Sequence, residues 1–430
     1  MAAHAAHVTD ARSYTPPAAL DRLAGTSLLV GLAGLILLVI GGALSALHVL
    51  PFDLSHAFRA YLLGYVFWTG ISVGSMAIMM LHHLSGGGWG VVLRRIFEAA
   101  TRVLPLMFVL FIPIALGMYF SKLYPWTMPQ VVAESHAVAH KHALYLNAPL
   151  FLLRWVFYFA VWIGLTVLLN KWSLEQDTTT DPRLRRLLKD RMQNVSGPGI
   201  VLFGLTVTFA AIDWLMTLEP EWFSTIWGLL IMVGWGLTAL AFAICIESYF
   251  VLNNARLGEV YQPRHLHDHG KLLLAFVMIW AYFSLSQFLI IWSGNLPEEI
   301  TWYLHRLRSG WQYVALFVVL FHFALPFVIL LSANLKKRAG QLILVALLVL
   351  GARIIDLFWL IAPTHIVFPG AQGATAGAAR VIAYALYFIA PFGVGGVWLW
   401  YFARQLKTRP LLPLGDEGLE NALEQIHGHH

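Results

Sequence analysis

The stretch from Leu28 to Leu50, LLVGLAGLILLVIGGALSALHVL, contains no Asp, Glu, Lys or Arg. A helix rises about 1.5 Å per residue, so roughly 20 apolar residues cross the hydrocarbon of a bilayer, and this run is long enough. It also exceeds the roughly 7–15 residues of a secretory-signal core, which predicts a retained span rather than a cleaved leader. Nine comparable stretches follow. The spans are read at 26–50, 57–83, 101–120, 148–170, 198–218, 226–252, 271–293, 310–332, 340–362 and 381–403. Composition agrees, with 59% hydrophobic and 12% charged residues and a mean hydropathy of +0.70. Soluble domains carry about 25% charged residues, so a soluble fold is excluded. The pattern predicts an all-α polytopic membrane protein with about ten transmembrane helices.

Ten spans put both termini on one side. That side holds the basic runs Arg94-Arg95, Arg183–Arg191 and Lys336-Lys337-Arg338, whereas the other holds only Arg59, Lys122, Lys141, Arg306, Arg308 and Arg380. The positive-inside rule then predicts a multi-pass protein with both termini in the cytoplasm. The net charge of +6 suits the anionic lipids of an inner leaflet and argues against nucleic acid as a partner. The single cysteine, Cys245, excludes an intrachain disulfide, an all-Cys iron–sulfur cluster and a C-x-x-C-H haem attachment.

A weak internal repeat appears when spans two to five are laid on spans six to nine. Ile212-Asp213 and Ile355-Asp356 are each followed by proline seven residues after the aspartate, at Pro220 and Pro363. The expected organisation is a cytoplasmic N-terminal tail (1–25), a flanking first span (26–56), a four-helix bundle (57–225), a second four-helix bundle parallel to it (226–365), a flanking tenth span (366–404) and a cytoplasmic tail (405–430). Two features of the connections add detail. Asp181-Pro182 is a helix-start signal, with Arg183–Met192 read as a short interfacial helix. Tyr124–Asn147 reads as a long irregular loop on the outer side, suited to covering a site or docking a partner.

Ionisable residues inside spans are costly and face bundle interiors or cavities. Arg154 in span four and Asp213 in span five lie at similar outer depth, with Tyr158 one turn from Arg154. A carboxylate, an arginine and an aromatic ring fit a quinol headgroup, the acid accepting a proton while rings stack; an ion pair that merely locks two helices reads equally well. In the second half, Glu247, Gln287, His322, Arg353 and Asp356 sample several depths, as a proton path through water requires. Arg353 and Asp356, three apart, are placed to satisfy each other. Read singly, each of these is interhelical glue. The histidines His136, His140 and His142 and the group His265, His267 and His269 fall in loops, without cysteines or ordered acids, and predict no metal site. His427, His429 and His430 read as a tail.

The run His267-Asp-His-Gly-Lys271, with Phe276, Trp280-Ala-Tyr282, Ser286-Gln287, Ile291-Trp292 and Asn295-Leu-Pro-Glu-Glu299, resembles the ActF-type membrane subunit of bacterial alternative complex III, as does Asp213-Trp214 with Leu218-Glu-Pro-Glu-Trp222-Phe-Ser-Thr-Ile226. That assembly is a quinol:cytochrome c oxidoreductase, and the wider NrfD-like family includes the polysulfide-reductase membrane subunits. The resemblance implies a subunit with no cofactor of its own, with menaquinol or ubiquinol as the quinol. It implies partners bearing iron–sulfur clusters and c-type haems, beside a homologous quinol-binding subunit. The function expected is assembly of the respiratory complex and transmembrane proton conduction. Two alternatives stand: a membrane anchor that itself holds the working quinol site, and a secondary transporter, to which the proline-interrupted spans three and eight (Pro105, Pro113, Pro326) point.

Overall fold

The computed structural model describes residues 17, 19–50, 52–254, 261–363, 373–416 and 419. Among the described residues the regular structure is all helical, and ten helices are long and apolar enough to cross a membrane: Leu20–Ala46, Ser55–Ser85, Gly88–Phe120, Ala148–Thr178, Pro182–Leu218, Trp227–Asn253, Pro263–Gly294, Trp311–Leu331, Ala339–Ile361 and Ala379–Leu406. The chain is a multi-pass membrane protein, and these are spans one to ten. The face where span one begins and span ten ends is called the terminal face below.

Spans two and six form the centre. Their most apolar windows are 94% and 78% buried, against 22% for spans seven and eight, which lie at the periphery. Spans three and five pack on span two, spans seven and nine on span six, and span ten on spans one and two. Lipid supplies no hydrophobic drive between helices, so close approach and dispersion carry the packing. Gly74 shows how close: a Cβ there would stand 2.3 Å from the Trp235 carbonyl oxygen of span six. At Gly34 a Cβ would stand 2.7 Å from Gly393 Cα, which lets spans one and ten meet backbone to backbone.

Span three is three helical pieces, Gly88–Thr101, Leu104–Val109 and Ile112–Phe120, with Pro105 and Pro113 in the first turn of the second and third. The junction residues Arg102, Val103, Leu110 and Phe111 keep right-handed helical dihedrals, so the breaks are loosened turns, not the unwound backbone of a substrate-binding helix. Span eight contains a π-helical turn at Val319–Ala324. Proline lacks an N–H and its ring crowds the carbonyl four residues earlier. Pro326 therefore cannot bond the His322 carbonyl, and the wider turn lies where that bond is missing.

Several sequence expectations change in detail. Asp181 does cap a helix, its side chain accepting from Arg183 N at 2.9 Å. That helix, however, runs unbroken from Pro182 to Trp214, so Arg183–Met192 is the first part of span five and not a separate interfacial helix. The segment 124–147 is not irregular: it holds the short helices Pro129–Glu134 and His136–Leu144. Beyond residue 405 the chain is docked as far as Asp416, with Leu411 and Leu412 buried. His427, His429 and His430 lie outside the described residues.

Candidate functional site

The first arginine–aspartate pair joins two helices. Arg154 Nε donates to Asp213 Oδ2 at 2.8 Å, and Nη2 donates to Oδ1 at 2.9 Å. Tyr158 donates a third bond to Oδ2 at 2.7 Å. Arg154 Nη1 donates to the Tyr145 carbonyl at 3.1 Å, and the guanidinium lies 3.8 Å from the Tyr145 ring centroid. This two-pronged geometry is the strong form of the pair. Trp214, next in sequence, packs its ring among Tyr65, Phe111, Phe159 and Trp162. The sequence grouped these three residues, and the structure brings them together. Asp213 is fully enclosed, and its acceptor sites are largely taken.

The second pair lies within one helix. Arg353 Nη1 donates to Asp356 Oδ2 one turn away on span nine. Gly234 of span six makes room for the guanidinium, since a Cβ there would fall 2.3 Å from Nη2. Among the described residues, Arg353 Nε and Nη2 have no hydrogen-bond partner, and neither has a ring nitrogen of His322. His322 is held on the π-helical turn with its ring edge-on to Trp280, centroids 4.2 Å apart.

Asp356 lines a cavity of about 520 Å³ in the half of the protein away from the terminal face. Its walls are the indoles of Trp227, Trp280, Trp302 and Trp359 with Phe288 and Tyr303. The cavity lies where the two ends of span eight pack differently: Trp311–Val318 lies on span nine, while Leu325–Leu331 lies mainly on span seven and touches span nine less. Gln287, on the same wall as Trp280, accepts a hydrogen bond from Ser224 through Oε1. The short helix Pro297–Arg306 closes the cavity on the side opposite the terminal face. Arg306 holds that helix down: it donates to Glu219 Oε1 at 2.8 Å and to the Leu360 carbonyl at 2.8 Å, and covers the Trp302 ring at 3.7 Å. Burial pulls the Arg306 guanidinium below its usual pKa, and the adjacent Glu219 carboxylate opposes the shift.

Glu247 lies elsewhere. Its Oε2 is 2.7 Å from His269 Nδ1, and His269 Nε2 donates to the Trp89 carbonyl at 2.6 Å. With Nε2 committed as a donor, imidazole and carboxyl share one proton between Nδ1 and Oε2. Sequence reading placed His265, His267 and His269 in a loop; they are in the opening turns of span seven, with His265 and His269 buried. The missed signal was Gln262-Pro263, a cap and a proline at the first helical position. Eleven residues of helix, about 16 Å, separate His269 from Trp280. Thus Gln287 and Asp356 line one cavity, with Arg353 bonded to Asp356 and His322 packed on the lining Trp280, while Glu247 belongs to a second cluster nearer the terminal face.

Sequence reasoning also missed a buried charge cluster at the terminal face. Glu98 accepts from Arg94 Nε at 3.0 Å, Arg95 Nη1 at 2.5 Å, Arg409 Nη1 at 3.1 Å and Ser173 at 2.5 Å. Asp416 accepts from Arg94 Nη1 at 2.6 Å, and Asp177 from Arg95. The spacing Arg94-Arg95-x-x-Glu98 was readable; partners from span four and the C-terminal segment were not. Among the described residues no group of three or more His, Cys, Asp or Glu is placed to hold a metal ion. In comparisons with known proteins, no family model matches the chain and no curated protein matches it.

Proposed function

We propose that this chain is an integral subunit, of the ActF type, of a quinol-oxidising respiratory complex that passes electrons to c-type cytochromes. On this reading the chain holds no redox cofactor, supports assembly and conducts protons through its second half. Both termini are then cytoplasmic, and the two halves are parallel repeats. The partners are a homologous quinol-binding subunit, an iron–sulfur subunit and c-type cytochromes. The motif-bearing stretch His267–Glu299 supports the family reading.

The observation that carries the proton role is the stacking of titratable groups along spans six to nine. Glu247 and His269 form one cluster, and His322, Arg353 and Asp356 form another about 16 Å deeper. The unpartnered nitrogens of His322 and Arg353 mark where water would be held. Apolar turns lie between the clusters, so conduction requires water to thread them. The loosened turns of span three and the π turn of span eight keep helical backbone, which gives a transporter reading no exposed substrate-binding backbone.

Two measurements test the reading. Purification from native membranes should recover c-type haem and iron–sulfur subunits in fixed ratio; a chain that purifies alone would sink it. In the reconstituted complex, Asp356→Asn and Glu247→Gln should stop proton translocation while quinol oxidation continues, and unchanged translocation would remove these residues from the path.

A further inference from the structure

We propose that the cavity between the outer halves of spans seven and eight binds a lipid-borne aromatic ring bearing hydroxyl groups, the chemistry of a hydroquinone. It is distinct from the Arg154–Asp213 pair.

Four observations define the ligand. The size comes first: about 520 Å³ falls within the range of small-molecule sites, roughly 300–1,000 Å³. The walls come second. Trp302 stands edge-on to Trp227 and Trp359 at 5.7 and 5.3 Å, so the lining offers ring edges and faces that suit a flat aromatic guest. Polarity is third. Asp356 is the sole carboxylate in the lining and makes one hydrogen bond, to Arg353, which leaves acceptor capacity for a hydroxyl donor. Gln287 has its oxygen engaged by Ser224, and its amide nitrogen makes no hydrogen bond among the described residues, a donor for the second oxygen of a hydroquinone. No lysine or arginine lines the cavity, which disfavours phosphate headgroups; a plain acyl chain would leave Asp356 without a new partner. Access is fourth. The lining residues Tyr282, Leu285 and Val319 are 66, 57 and 54% exposed on the lipid-facing side of spans seven and eight, so the entrance is lateral, from the bilayer. The inference rests on the proposed function only for the supply of quinol and assigns no electron transfer to this chain.

The test uses the full chain in phosphatidylcholine nanodiscs, titrated with a short-tailed menaquinol under anaerobic conditions and read by quenching of tryptophan fluorescence. Quenching should saturate. Asp356→Asn should weaken binding by about tenfold, the loss of one hydrogen bond to a charged group. Ala315→Trp, which fills the cavity, should abolish binding, and Gly204→Ala, outside the lining and with room for a Cβ, should leave it unchanged. If Asp356→Asn does not fold, Gln287→Leu replaces it, with several-fold weakening expected. Absence of saturable quenching, binding that survives the filled cavity, binding lost through Gly204→Ala, or full displacement by the isoprenoid alcohol lacking the ring would each overturn the proposal. Failure of the complex reading shows separately, as absence of haem and iron–sulfur subunits from the native preparation.

Discussion

In the first half of the molecule Asp213 accepts three hydrogen bonds, two from Arg154 and one from Tyr158, and the donors come from a different span. In the second half Asp356 accepts one, from an arginine a turn away on its own helix, and a cavity lies beside it. Both pairs set an arginine against a buried aspartate, yet topology gives them opposite consequences. A pair that bridges helices pulls them together and consumes its own acceptors. A pair within one helix ties nothing to a neighbour, so spans seven and eight can part beside it. Polar residues in a membrane therefore do structural or binding work according to which helix supplies the partner.

The largest expected effect follows directly. Asp213→Ala leaves a half-buried guanidinium without its counter-charge and unties span four from span five, so it should cost about 3–5 kcal/mol. Asp356→Ala also strands a buried guanidinium, but it unties no helices, so it should cost less. Chemical unfolding of both variants in one detergent gives the ranking. A larger loss for Asp356→Ala would break the comparison.

Space around the second pair gives the next effect. Gly234→Val places side-chain atoms where the Arg353 guanidinium lies, and overpacking of this kind costs about 1–3 kcal/mol. Gly204, with only Met232 Cε at 3.8 Å from its Cβ position, should accept alanine with little change in the same assay. Equal losses at the two glycines would mean that the guanidinium has room to move. A smaller effect is expected at Tyr158→Phe, which deletes one bond to Asp213 and leaves the arginine fork. Interhelical hydrogen bonds in membranes average about 0.6 kcal/mol and reach about 1.7. A loss well above that range would make the tyrosine, and not the arginine, the principal tie.

These contrasts also show what the sequence could convey. Hydropathy and length located all ten spans, because the bilayer imposes one requirement on every crossing helix. Counting depth paired Arg154 with Asp213, and helical spacing paired Arg353 with Asp356. His269 was displaced into a loop because polar residues open span seven, although Gln262-Pro263 marks the helix start. The rest of the cluster around Arg94, Arg95 and Glu98 could not be read, since Ser173 and Arg409 reach Glu98, and Asp177 and Asp416 reach the two arginines, from distant parts of the chain. The cavity was unreadable for a related reason: it depends on which neighbour each end of span eight chooses, and only Pro326 hints at the change.

Pro326 gives the smallest predicted effect and the sharpest test of how the second site is built. With Pro326→Ala the residue regains an N–H that can bond the His322 carbonyl, and the ring no longer crowds that carbonyl. The π-helical turn at Val319–Ala324 then loses its cause, and the segment should relax toward an α-helix. Replacing proline within a helix usually stabilises it, but here the gain should stay below about 1 kcal/mol, because tightening the turn rotates His322 away from Trp280 and narrows the space beside Asp356. Hydrogen exchange read by mass spectrometry should show slower exchange over 319–326 with little change elsewhere. Menaquinol quenching should weaken in the same variant, because the wall formed by Val318, Val319 and Phe323 moves. Slower exchange with unaltered quenching would separate the π turn from the cavity, leaving the divergence of spans seven and eight to the side chains between them.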